Sequence, residues 1–224
     1  MLLRIPALLN AAQLQKVRAL LADAEFVDGK LSAGFAAAKV KHNEEMRQEP
    51  ERMQLLVRIL MASLGHNARF RFGVLPHRVA DPIFARYRPG MTYGDHVDDP
   101  IMGSSGPRFR SDVSMTLFLN EPQAYDGGEL LMHTPFGAQR VKLPAGDAVV
   151  YPASSLHQVA EVTRGERLVA LTWIQSYVRD PARRELLYEL NQARELLLQE
   201  APGAEHTGWV DRSYANLVRM WSEL

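Results

Sequence analysis

The stretch Arg86-Tyr87-Arg88-Pro89-Gly90-Met91-Thr92-Tyr93-Gly94-Asp95-His96-Val97-Asp98 reads as an extended segment that delivers two metal-ligating side chains at its end. Side chains two apart on an extended chain share a side, so His96 and Asp98 converge while Val97 faces away. Two protein ligands rarely hold a transition metal, and a third is found downstream. His157 opens the apolar, β-branched run Gln158-Val159-Ala160-Glu161-Val162. His133, on Leu130-Leu131-Met132-His133-Thr134, is its rival, and His157 is preferred because the strand it opens is followed by one that carries Arg167.

Two imidazoles and one carboxylate on one side of an ion form the facial triad of non-haem Fe(II) oxygenases, which leaves coordination positions open for chemistry. Arg167 bears on the reaction class. It heads the strand-like run Arg167-Leu168-Val169-Ala170-Leu171-Thr172-Trp173-Ile174, and a guanidinium among apolar neighbours must meet an anion or remain badly desolvated. A dicarboxylate co-substrate supplies such an anion. Two other readings stay open on these residues. In one, His96, Asp98 and His157 bind Zn2+ and activate water in a hydrolase; in the other, the chain is a non-catalytic, cupin-like module that binds or senses a small acid.

Thr163-Arg164-Gly165-Glu166 reads as the turn of a hairpin joining the His157 and Arg167 strands. A bulged turn with Gly165 in the left-handed region pairs Thr163 with Arg167 and sets His157 and Arg167 on one face. The strand from His157 to Thr163 then spans roughly 20 Å, a gap for metal, an elongated ligand and the Arg side chain in series.

Around this centre the chain is an ordinary single catalytic unit. Its 224 residues are 46% hydrophobic, enough for a sizeable core. The 26 basic and 26 acidic residues cancel, so no overall field favours nucleic acid or an anionic membrane. Without Cys there are no disulfides or thiolate metal sites. Met1 to Leu9 is short and interrupted by Arg4 and Pro6, which makes it neither signal peptide nor membrane span, and a cytoplasmic location is expected.

Asn10 caps a helix running to about Phe26, Pro50 opens a second that ends at Gly65, and residues 28 to 49 form a loop or short strand beside the site. From Phe70 the pattern is of short strands: Phe70–Val74, Ile83–Tyr87, Ser111–Asn120, Glu129–Met132, Val141–Leu143 and Ala148–Tyr151. Many short strands with Gly and Pro turns argue for a sandwich or jelly roll. Residues 100–110, rich in Gly, Ser and Pro, read as an active-site lid or as plain surface loop. Asp180-Pro181 opens a helix with Gly203 just past its end, and another starts near Asp211; these are a packing buttress or a homo-oligomer surface.

Tyr87-x-x-Gly90-x-x-Tyr93-x-x-His96-x-Asp98, then Asp126-Gly127-Gly128-Glu129-Leu130, then His157 and Arg167, resemble the 2-oxoglutarate and Fe(II)-dependent oxygenases of the prolyl 4-hydroxylase type. The lead-in Pro82-Ile83-Phe84-Ala85-Arg86-Tyr87 and the ending Tyr214 to Trp221 narrow the resemblance to the bacterial PKHD-type hydroxylases. The likeness implies a mainly β chain with helices: a double-stranded β-helix (jelly-roll) core over 78–178, an N-terminal support region over 1–77 and a C-terminal helical extension over 179–224. It also implies Fe(2+) on His96, Asp98 and His157, 2-oxoglutarate held by Arg167 with help from Tyr87, and L-ascorbate as a further cofactor. O2 is the oxidant, and the substrate is a small molecule, peptide or protein, with a link to iron uptake. Phe118 departs from the pattern: some relatives place a carboxylate-binding Tyr near this position.

Overall fold

Strand Val113–Phe118 shows how the sequence builds the molecule. All six of its residues are buried, and they alternate. Val113, Met115 and Leu117 join one hydrophobic cluster, while Phe118 belongs to a second and Ser114 and Thr116 line a cavity. The neighbouring strand Arg167–Ser176 divides in the same way, with Leu168, Ala170 and Ile174 on one face and Arg167, Val169 and Leu171 on the other. A sheet covered on both faces accounts for such continuous runs of burial.

The computed structural model describes residues 1–103 and 108–223. Its larger sheet is eight-stranded, in the order Leu3–Ile5, Ala148–Pro152, Val113–Phe118, Arg167–Ser176, Ile83–Tyr87, Glu44–Met46 and Phe26–Asp28, with Pro76–Val79 also paired to the Arg167 strand. A five-stranded sheet runs Gly137–Val141, Leu130–Thr134, His157–Val159, Thr92–His96 and Lys41–His42. Tyr87, Phe118, Val149 and Val169 of the first meet Leu130, Met132 and Val159 of the second in one core. The layers form the expected jelly-roll core, though neither sheet closes into a barrel.

Helices Ala11–Ala22 and Pro50–His66 cover the outer face of the large sheet through Val17, Leu21, Leu56, Leu60 and Leu64. Fully burying each such aliphatic side chain stabilises by about 1.5–3 kcal/mol. The first helix opens with a capping box between Asn10 and Gln13 and stops four residues short of Phe26, which enters a strand. Helices Pro181–Glu200 and Glu205–Trp221 close the far end over Val178, Leu187 and Tyr214. The last begins six residues before Asp211, where the Thr207 hydroxyl, 1% exposed, donates to the Ala201 carbonyl. No described helix is long and apolar enough to cross a membrane.

Two expectations are corrected. Phe70 to Val74 is not a strand but part of helix Ala68–Val74, capped by the Asn67 side chain. Alternating Phe70, Phe72 and Val74 mimic a strand, but the buried positions are Phe70, Gly73 and Val74, the i, i+3, i+4 face of a helix. The hairpin between the His157 and Arg167 strands is absent as well. Val162–Gly165 pairs with Tyr125–Gly127, and Arg167 pairs with Tyr87.

Close glycine contacts explain the exchange of partners. Gly127 and Gly165 have φ of 71° and 73°, and a Cβ on either would lie 1.9 Å from the Glu161 carbonyl oxygen or 2.1 Å from that of Ala124. Arg164 adds a two-pronged ion pair to Asp126, at 2.7 and 3.1 Å. Of the region 100–110, read as a lid or a plain surface loop, Ile101–Met102 pairs with Phe109–Arg110, while residues 104–107 lie outside the described residues.

Gly165→Ala should therefore lower the free energy of unfolding by more than about 1 kcal/mol. A urea midpoint that falls at unchanged slope would show it; an unmoved midpoint would mean that the approach of Gly165 to Ala124 relaxes freely.

Candidate metal centre and its cavity

His96 closes strand Thr92–His96 and stands directly opposite His157 in the antiparallel ladder. That register brings the two ring centroids to 4.2 Å. Asp98 lies two residues past His96, beyond the strand end, and its Oδ1 is 3.8 Å from His96 Nε2 and 3.9 Å from His157 Nε2. One ligand atom from each of the three falls within 4.8 Å of the others, and all three side chains are less than a tenth exposed.

The atoms behind these three fix which face they offer. His96 Nδ1 is 2.8 Å from the Gly94 carbonyl and His157 Nδ1 is 2.9 Å from that of Ser155. A nitrogen facing a carbonyl must carry the proton, so each Nε2 keeps its lone pair for a metal. The Ser114 hydroxyl donates to Asp98 Oδ2, which leaves Oδ1 to the shared focus. Burial, and then the neighbouring His157, pull the His96 imidazole below the ordinary histidine range and favour its neutral, ligating form. Tyr93 stacks on the His96 ring at 3.6 Å with planes 11° apart, and Tyr151 meets His157 edge-on at 5.2 Å.

A cavity of about 150 Å³ joins this cluster to Arg167 and Tyr87. Arg167 is 1% exposed, and its Nε and Nη1 are buried with no hydrogen-bond partner. Its guanidinium lies 4.9 Å from the centroid of the Tyr87 ring and 5.7 Å from that of Phe118. Burial raises the Tyr87 and Tyr125 phenols above their ordinary range against the opposing pull of Arg167, so both hydroxyls stay protonated. Although Arg167 is close enough to act on it, the buried Tyr125 hydroxyl completes no hydrogen bond. Gly128 has a φ of 66°, and a Cβ there would be 3.0 Å from Arg167 Cδ and 3.1 Å from Tyr125 Cε2. The Gly127-Gly128 turn thus makes room for the guanidinium.

His96, Asp98 and His157 are brought together, and Arg167 and Tyr87 face the same cavity. His133 is not in the cluster: it is exposed and bonded to Asp95 at 2.8 Å. Asp95 is thereby directed away from the three as well, and Val97 is half exposed. Sequence reading missed Ser114, Tyr125, Lys41 and Glu45. Ser114 had a signal in the alternation of its strand, but the charged run Lys41-His42-Asn43-Glu44-Glu45 reads as solvated surface.

These features fit Fe(II) and 2-oxoglutarate on two physical grounds: the His2Asp donor set with both tautomers fixed, and a buried cation whose donors await an anion. Ser114→Ala should weaken metal binding about 10- to 100-fold, measured by competition with a chelating indicator. His133→Ala should leave it unchanged, and an equal loss in both would count against the cluster.

Residues 82–175 match the model of the 2OG-Fe(II) oxygenase superfamily. Over its full 224 residues the chain is 54% identical to a PKHD-type hydroxylase of Thioalkalivibrio sulfidiphilus, covering 100% of both chains. Its fold is similar to a Pseudomonas putida prolyl-4-hydroxylase, with a TM-score of 0.52 at 21% identity over 78% of this chain and 92% of the other. It is also similar to a Streptomyces hygroscopicus protein solved with nickel, 2-oxoglutarate and hygromycin B, with a TM-score of 0.52 at 14% identity over 79% and 84% of the two chains.

Proposed function

The chain belongs to the PKHD-type hydroxylases, 2-oxoglutarate-dependent dioxygenases, and on that premise we propose that His96, Asp98 and His157 hold its Fe(II) while Arg167 and Tyr87 hold its 2-oxoglutarate. The single observation that carries the co-substrate half is Arg167. Its buried guanidinium, with Nε and Nη1 unbonded at one end of the cavity, suits the distal carboxylate of a dicarboxylate. Bound there, Fe(II) and 2-oxoglutarate supply the oxidising chemistry: O2 is consumed, 2-oxoglutarate gives succinate and CO2, and a substrate C–H becomes C–OH.

The chain's own groups orient and shelter. The Gly94 and Ser155 carbonyls keep protons on the two Nδ1 atoms, and Ser114 holds Asp98 with one oxygen inward. Tyr87 and Phe118 flank Arg167 with ring faces, which stabilise the cation without satisfying its N–H donors. Tyr93 and Tyr151 brace the imidazoles and keep water from their faces.

The substrate is a small molecule or a peptide or protein segment. A link to iron uptake and L-ascorbate as a further cofactor belong to the same proposal and rest on the family resemblance alone. The cavity continues past the metal cluster to Ser32, Ala33, Gly34 and Ala37, which leaves space for a substrate group beside the metal. A zinc hydrolase would use the same three ligands with Arg167 binding a substrate anion, and metal preference separates the two readings.

The deciding experiment is an anaerobic titration of metal-free protein with Fe(II) and then 2-oxoglutarate, watched for a visible metal-to-ligand charge-transfer band. The band should need both additions and be lost in His96→Ala. Arg167→Ala should weaken 2-oxoglutarate at least tenfold more than Fe(II); equal loss of both would overturn its assigned role, and tight Zn2+ binding with no band would favour the hydrolase.

A further inference from the structure

The cavity has a second polar feature that neither the metal cluster nor Arg167 uses. Lys41 and Glu45 face it from the N-terminal segment, paired at 2.5 Å, with side chains only 7% and 9% exposed. Lys41 Nζ also donates to the Ser32 hydroxyl at 2.9 Å, so two of its three protons are used. A buried ion pair is a weak source of stability, because desolvating both charges offsets their attraction, and two apolar side chains of similar volume would fill the space as well. Packing therefore does not account for these two residues.

Their position does. Lys41 stands opposite Tyr93 in the ladder, with Nζ 5.4 Å from the centroid of the Tyr93 ring, and that ring stacks on His96. The pair lies one aromatic ring away from the metal ligands, on a wall completed by Ser32, Ala33, Gly34 and Ala37.

We propose that Lys41 and Glu45 form the recognition subsite for the primary substrate, and that the group they bind is a neutral amide. Its carbonyl accepts from Lys41 and its N–H donates to Glu45. The assignment rests on the oxygenase reading above. Charge selects the class. An anionic group at Lys41 would meet Glu45 at once, with Asp99 also on the cavity wall, and a cationic group at Glu45 would meet Lys41. A net charge added to a buried neutral pair stays uncompensated, whereas a dipole with adjacent donor and acceptor matches both partners.

The test uses the protein loaded with Zn2+ and 2-oxoglutarate and three probes followed by ligand-observed NMR: N-acetylglycine methylamide (neutral), N-acetylglycinate (anion) and glycine methylamide (cation). The neutral amide should bind at least tenfold more tightly than either ion. Because removing one partner would strand the other charge, the main variant is the double replacement K41M/E45M; E45Q, which keeps an acceptor but leaves Lys41 without its counter-charge, should turn the preference toward N-acetylglycinate. K41M/E45M should lower amide affinity at least tenfold while 2-oxoglutarate affinity moves less than twofold. Preference of the unsubstituted protein for the anion, its failure to bind the amide, or undiminished amide binding in K41M/E45M would overturn the proposal. Failure of the unsubstituted protein to bind 2-oxoglutarate would instead sink the oxygenase reading, and this assignment with it.

Discussion

A guanidinium buried without an anion is the constraint on which the site depends. Arg167 sits between two aromatic rings, at 1% exposure, with Nε and Nη1 unbonded. An orphaned charge in a protein interior costs far more than an ordinary unmet hydrogen bond. The aromatic ring faces beside it offset part of that cost, and in the proposed reading a bound dicarboxylate meets the charge. The Gly127-Gly128 turn and the two phenols around Arg167 follow from the same need, since the first makes room for the side chain and the second share its surroundings.

The two sheets divide the work. The large one carries Arg167 and Tyr87 on adjacent, directly paired positions, so that end of the cavity is set by one ladder. The small one carries His96 and His157 on directly opposed positions, so the imidazoles are set by another. Ser114, on the large sheet, reaches Asp98 and ties the two together. A cluster of side chains spread over facing layers is held by the packing between them, and the shared core of Phe118, Leu130, Val159 and Val169 supplies that packing.

The N-terminal segment is more than support. Phe26–Asp28 and Glu44–Met46 extend the large sheet, while Lys41–His42 extends the small one. Between them the chain passes over the cavity and leaves Lys41 and Glu45 on its wall. One short stretch therefore edges both layers and lines the space where they meet.

The sequence by itself determined the local features: the Asn10–Gln13 capping box, the helix opened by Pro50 and the inward and outward alternation of Val113–Phe118. These depend on neighbours a few positions away, whose periodicity and side-chain chemistry are written along the chain. Only the tertiary structure decided which strands meet. Alternation tells a strand which face is inward but not which edge will accept its hydrogen bonds, so Thr163 to Arg167 looked like a hairpin until Tyr125–Gly127 took Val162–Gly165 and Tyr87 took Arg167. Phe70–Val74 failed for a related reason, since three alternating apolar residues fit both periods and the surrounding helices chose the helical one. Lys41, Glu45 and Tyr125 were illegible because burial made them matter, and burial belongs to the assembled layers rather than to any stretch of sequence.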